Sequence, residues 1–192
     1  MRVIAGAAGG IRLDVPKTDV RPTMDRVKAA IFSSLGNEII GARVLDLFAG
    51  TGALGIEALS RGAASVLFVD ENSAAIAAIE RNLARTKLEG RVRKQDVFAF
   101  LRSEQAREPF RIIFADPPYE KTKSGGEFTG LLLQDRQLVE ALEPGGIFVL
   151  EKRPSEQMPA MPLWNVIRAR AYGATEVLFL QRAERPIEQR ER

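Results

Sequence analysis

From residue 43 onward, short apolar runs rich in Val, Leu, Ile and Phe alternate with stretches whose apolar residues recur every three or four positions. The runs predict strands over 43–48, 65–69, 91–94, 111–115 and 146–150, and the stretches predict helices over 53–61, 73–86, 97–102 and 130–142. Strand and helix taken in turn imply an α/β fold, a parallel sheet covered on both faces. The last two runs, 166–171 and 176–181, are separated only by Tyr172-Gly173-Ala174. That leaves no room for a crossover helix, so they pair antiparallel. Before residue 43, two extended segments, 2–5 and 11–15, flank a Gly/Ala turn and predict a β-hairpin. A helix over 23–35 follows, with Val27, Ala30, Ile31 and Leu35 on one face and Gly36 as its stop. The expected organisation is a hairpin-and-helix extension over 1–40, a main domain over 41–183 and a tail over 184–192.

Composition narrows the chemistry. With 192 residues and 45% hydrophobic content, the main domain can bury a core without staples. Cys and His are both absent. That removes disulfides, thiolate nucleophiles, imidazole acid–base chemistry and the usual zinc and iron ligand sets, so no metal is expected. No apolar run approaches the roughly 18 residues of a membrane span, and no cleavage signal opens the chain, so a cytoplasmic location away from membranes is expected. Residues 1–28 hold six Lys/Arg against three Asp, and the remainder carries 22 of each sign, so the whole excess of +3 sits at the N-terminus. A basic appendage on a neutral body suits contact with phosphates.

Two motifs carry the chemistry. In the first, the strand ending at Asp46-Leu47-Phe48 runs through Ala49-Gly50-Thr51-Gly52 into a helix, and Gly50, Gly52 and Gly55 satisfy the spacing of a dinucleotide-binding turn. That spacing alone admits a nicotinamide cofactor and an oxidoreductase. Asp46 shifts the balance, because a carboxylate there repels a pyrophosphate and attracts the ammonium and sulfonium of S-adenosylmethionine. A capping role in the turn is its alternative. Asp70, followed by Glu71, ends the next strand, where an acid accepts ribose hydroxyls. Asp96, followed by Val97 and Phe98, ends the third. It suits either the adenine amino group, with Val97 or Phe98 against the ring, or the N-cap of the next helix.

The second motif, Asp116-Pro117-Pro118-Tyr119, closes the fourth strand. The two prolines bias Asp116 and Pro117 toward extended backbone, which fixes the Asp116 carboxylate relative to the Pro117 carbonyl. Two fixed acceptors can hold both hydrogens of an exocyclic amine while Tyr119 stacks on the base. Four acids at four consecutive strand ends lie where open α/β sheets bind ligands.

Asp46 to Gly55 together with Asp116 to Tyr119 resembles the class I S-adenosylmethionine-dependent amino methyltransferases. The run Arg21-Pro22-Thr23-Met24-Asp25-Arg26-Val27-Lys28, with Gly9-Gly10 before it and the segment from Ala53 to Gly62 after the glycine turn, is similar to the RsmD family more narrowly. The resemblance implies a Rossmann-like, seven-stranded methyltransferase sheet and methylation of guanine N2 in 16S ribosomal RNA, in a small-subunit assembly particle. Catalysis is then expected from Asp116, Pro117, Pro118 and Tyr119. Cofactor binding is expected from Asp46, Phe48, Ala49, Gly50, Thr51, Gly52, Asp70, Glu71, Asp96 and Val97. RNA contacts are expected from Arg12, Arg21, Thr23 and Arg26. Adenine N6 in DNA or RNA is the alternative acceptor, since the motif recognises an amine without identifying its ring.

Overall fold

The computed structural model describes residues 1–15, 23–103, 108–118, 128–156 and 158–183, with the backbone alone for Thr23 and Met24. Seven strands form one sheet: β1 (Arg43–Leu47), β2 (Ser65–Asp70), β3 (Arg91–Lys94), β4 (Phe110–Ala115), β5 (Leu142–Lys152), β6 (Trp164–Tyr172) and β7 (Thr175–Arg182). Their order is β3-β2-β1-β4-β5-β7-β6. The β1–β2, β2–β3, β1–β4 and β4–β5 pairs are parallel, and β7 runs antiparallel between β5 and β6. The order reverses between β1 and β4, and there the carboxyl edge of such a sheet opens a ligand crevice.

Six α-helices accompany the described strands: α1 (Thr23–Leu35), α2 (Ala53–Ser60), α3 (Ser73–Thr86), α4 (Val97–Leu101), α5 (Phe128–Gln134) and α6 (Arg136–Ala141). Alternation along β1, β4 and β5 divides the core in two. Val44, Phe114 and Val149 pack with α1, α2 and α3 on one face, while Leu45, Ile113 and Leu150 pack with α4, α5 and α6 on the other. α3 shows the underlying periodicity, burying Ala78, Ile79, Asn82, Leu83 and Thr86 along one stripe. Asn72 caps its start by accepting from the Ala74 N–H at 2.8 Å.

The single helix expected over 130–142 is two. The Asp135 carboxylate accepts from the Gln137 and Leu138 N–H groups, caps a new helix and breaks the first one. β5 then begins at Leu142 rather than Gly146, with an irregular register against β4 between Phe110 and Ile112 that accommodates Pro144-Gly145-Gly146. The N-terminal hairpin is slight, a bridge between Arg2 and Arg12 flanked by bonds from Val3 N–H to Ile11 and from Gly10 N–H to Val3.

That hairpin is fixed by α2 more than by itself. The buried Glu57 carboxylate accepts the Ile4 and Ala5 N–H groups at 2.7 and 3.1 Å and pairs with Lys28 at 3.2 Å and Arg61 at 2.7 Å. Ser60 adds its hydroxyl and carbonyl to Ala8 and Ala7. Gly6, at φ +85, permits the approach, since a Cβ there would lie 1.8 Å from the Ser60 oxygen. Lys28, on α1, also donates to the Arg2 carbonyl, so one carboxylate locks the hairpin, α1 and α2 together. Replacing it strands a buried lysine and two backbone donors. Glu57→Ala is expected to lower the unfolding free energy by about 3–5 kcal/mol, read from urea denaturation followed by circular dichroism.

Candidate active site

Asp46 sits on β1 opposite Phe114, 2% exposed, on the face that carries α1 and α2. Its Oδ2 accepts the Gly55 N–H at 2.9 Å, which is the capping bond the sequence left open. Only glycine allows α2 so close, because a Cβ at Gly55 would fall 2.3 Å from the Phe68 ring. Phe48 then leaves the strand at φ +53, a left-handed conformation that costs a non-glycine residue about 1 kcal/mol or more. Gly50 and Gly52 continue the turn at φ +54 and +75. The Gly50 N–H donates to Asp70 Oδ2 at 2.9 Å, and the Gly52 N–H to the Ala49 carbonyl at 2.7 Å. Asn82, buried on α3, donates to the Thr51 carbonyl, accepts from the Asp14 N–H and so ties the turn to the N-terminal segment. Sequence reasoning passed over Asn82, although a polar residue on the apolar stripe of α3 was the signal.

Asp70 is half-buried at the end of β2, its other oxygen accepting the Asn72 N–H, and Glu71 beside it is exposed. Asp96 caps α4 through the Ala99 N–H at 2.8 Å. Val97 is buried in the core, which leaves Phe98 as the ring at the surface of this corner. Phe98 stacks on Phe128, with centroids 6.4 Å apart at 13°, and Phe48 meets Phe128 edge-on at 5.4 Å. The three rings bring the glycine turn, α4 and α5 together, and Phe128 was not anticipated.

Asp116 follows β4 directly. In-register pairing of Leu47 with Ala115, and of Ala115 with Leu150, puts Phe48, Asp116 and Glu151 on one level across three strands. Asp116 and Pro118 are exposed at the cleft and Pro117 is buried between them. Tyr119 and Arg21, as well as the Thr23 side chain, lie outside the described residues. α1 runs against the strands: Phe32 lies on Phe114 at 5.6 Å, and Glu38, just past the helix, binds Arg111 at the start of β4. Its first turn, with the exposed Arg26, therefore stands at the carboxyl edge. The Arg2 N–H donates to Asp25 in that turn, and the Arg2–Arg12 bridge brings the exposed Arg12 to the same side.

The site concentrates acids. Burial pushes Asp46 up to about 8, against the Gly55 hydrogen bond and with added repulsion from Asp116 and Asp70. Asp116, enclosed by protein behind and open to the cleft in front, is raised to about 6 by its enclosure, while water on the open side limits the effect. Burial, then Asp116 and Asp46, raise Glu151 well above the usual carboxylate range. Acids that raise one another's proton affinity bind a cation well, and a sulfonium with its neighbouring ammonium is such a ligand.

A family profile described as "Conserved hypothetical protein 95" matches residues 1–181. The chain belongs to that family. It is the RsmD family of methyltransferases, and the chain is an enzyme of that kind. The putative rRNA methyltransferase YlbH of Bacillus subtilis is 39% identical, over 95% of this chain and 99% of that protein. Ribosomal RNA small subunit methyltransferase D of Escherichia coli K12 is 34% identical, over 95% of this chain and 90% of the other. Among solved structures, the putative methyltransferase YhhF of E. coli superposes with a TM-score of 0.78 at 32% identity, covering 95% of this chain and 97% of its own. The Thermus thermophilus 16S rRNA N2 G1207 methyltransferase RsmC, solved with AdoMet and guanosine, shares the fold at a TM-score of 0.63 and 24% identity, over 87% of this chain and 44% of that one.

Asp46 makes stability depend on pH. Folded, it titrates near 8, and unfolded near 3.8, so the folded state holds the extra proton between these values. Its contribution is complete below the unfolded value and is lost as pH rises toward 8. In Asp46→Asn the decline in melting temperature between about pH 5 and about pH 8 is expected to be shallower than in wild type. Calorimetry without cofactor checks this.

Proposed function

We propose that this RsmD-family enzyme transfers a methyl group from S-adenosylmethionine to the exocyclic N2 amine of a guanine in 16S ribosomal RNA, presented in a small-subunit assembly particle in the cytoplasm. One observation carries the reading: Asp46 and Asp116 lie on the same face of the sheet, on adjacent strands, at the point where the strand order reverses. That proximity supports a single crevice for the donor and acceptor acids. The family supplies ribosomal RNA as the substrate class, which favours guanine N2 over adenine N6 and over a nicotinamide-linked reaction. No helix among the described residues is long and apolar enough to cross a membrane.

S-adenosylmethionine supplies a methyl group on a sulfonium, already an excellent leaving group. Asp46, with the turn at Phe48, Ala49, Gly50, Thr51 and Gly52, holds the methionine end. Asp70 and Glu71 hold the ribose, and Asp96 and Phe98 receive the adenine, while the Val97 side chain, buried in the core, fixes the start of α4 beneath them. Asp116 and the Pro117 carbonyl accept the two amine hydrogens, which turns the nitrogen lone pair out of conjugation and toward the donor. Pro118 stiffens the pair, and Tyr119 stacks on the extruded base. Asp116 then accepts the proton that the methylated amine releases, a role suited to a carboxylate raised to about 6. Arg12, Arg21, Thr23 and Arg26 meet the RNA backbone.

Asp116→Ala is expected to lower kcat by at least about 10²–10³-fold. Cofactor affinity in isothermal titration should stay within a few-fold, and lost affinity would refute the assignment. The reading as a whole is tested by mass mapping of 16S RNA from a strain lacking the gene. One guanine should lose a single methyl group and regain it when purified enzyme is added to the particles.

A further inference from the structure

Glu151 has no part in the chemistry above, yet it stands in the middle of the site. Ala115 pairs with Leu150 in the parallel β4–β5 ladder, so Asp116 and Glu151 leave adjacent strands side by side, about 4.8 Å apart along the backbone. Alternation points both to the face of Phe114 and Val149, the face that carries Asp46 and α1. The acid is half-buried, with two further acids facing it and, among the described residues, no cation paired with it. Asp116 lies on one side, Asp46 lies beyond it on β1, and the residue opposite on β7 is Val177. The neighbouring Lys152 serves the other face, where its Nζ binds Glu176 at 2.9 Å and the Arg153 carbonyl at 2.7 Å. Among the described residues no hydrogen-bond donor meets the Glu151 carboxylate. A third acid in an acid-rich cleft is destabilising unless a ligand brings donors to it.

The guanine edge carries such donors. Beside the N2 amine, which Asp116 and Pro117 engage, lies the N1–H, and burying it without an acceptor costs as much as a lost hydrogen bond. We infer that Glu151 is a base-specificity residue, whose carboxylate accepts the guanine N1–H while Asp116 accepts from N2. Adenine and 2-aminopurine present a lone pair at N1, which the ionised carboxylate repels, whereas the guanine N1–H supplies the donor that favours the ionised form over the protonated one that burial and the neighbouring acids promote. A pair of acids on neighbouring strand ends therefore reads two adjacent N–H groups and distinguishes guanine from any amino purine lacking the second. The inference rests on the proposed N2 reaction and adds the basis of its selectivity.

The test uses reconstituted small-subunit particles whose 16S RNA carries either guanine or 2-aminopurine at the mapped methylation position. Wild-type enzyme is expected to favour guanine by at least about 100-fold in kcat/KM, because an acceptor site rejects an analogue lacking its donor. In Glu151→Gln the amide can turn its NH2 toward N1, so the preference should shrink at least about tenfold while cofactor affinity is kept. Glu151→Asp keeps a carboxylate, and with it the preference for guanine, at a lower rate. Equal wild-type rates on the two particles would overturn the inference, and so would an equal loss on both in Glu151→Gln. A wild-type enzyme inactive on the guanine particle would instead overturn the proposed function itself, so the two failures are distinguishable.

Discussion

A single buried bond, from the Gly55 N–H to the Asp46 carboxylate, joins the first strand to the first crossover helix and fixes everything above it. It holds a carboxylate in a dry place that its charge disfavours, and it sets the pitch of the turn between them. The left-handed Phe48 and the two glycines follow because the chain must rise over that carboxylate and come back down into α2 within a few residues. Asp70, bonded to the Gly50 N–H, braces the same turn from the next strand. Both acids therefore serve the fold before they serve a ligand. A cation arriving at the crevice meets acceptors already oriented and displaces the proton that burial keeps on Asp46, with little reorganisation left to supply.

Glu57 plays the matching part on the substrate side. A parallel sheet offers its carboxyl edge to solvent, and something must turn that edge into a cleft. Here the first turn of α1 and the base of a weak hairpin are held beside it by a carboxylate that gathers two backbone donors, Lys28 and Arg61. Arg2 is drawn in as well, its carbonyl engaged by Lys28 and its N–H by Asp25. Arg2, and through the Arg2–Arg12 bridge Arg12, thus take their positions from an ion-pair cluster centred on Glu57 of α2.

Much of this was legible in the sequence, and the reasons differ by element. The strands of the sheet centre read clearly because both faces are buried, which makes Val44–Leu47 and Ile112–Ala115 almost wholly apolar. The terminal hairpin read clearly because three residues cannot house a helix. The break at Asp135 was missed because its capping bonds reach only two and three residues along the chain, and the apolar spacing runs on through it. Asp46 and Asp96 were recognised as acids at strand ends, but spacing could not show that each would cap a backbone N–H. Glu151 escaped notice because nothing near it in sequence marks it. Its meaning comes from the register that sets it beside Asp116, a relation between residues 35 apart along the chain.

The reversed strand β7 has a spatial consequence. Because it descends between β5 and β6, β6 must climb in the same direction as β5, and the tight connection at Gly173-Ala174 emerges on the same rim as Asp116 and Glu151. The half-buried Tyr172 anchors its base. The hairpin tip and the first turn of α1 thus share one rim, and the Arg168 guanidinium on β6 donates to the Ser34 carbonyl of α1, which ties that edge of the sheet to the helix. The length of that one reverse turn sets how far the last edge of the sheet rises above the rim.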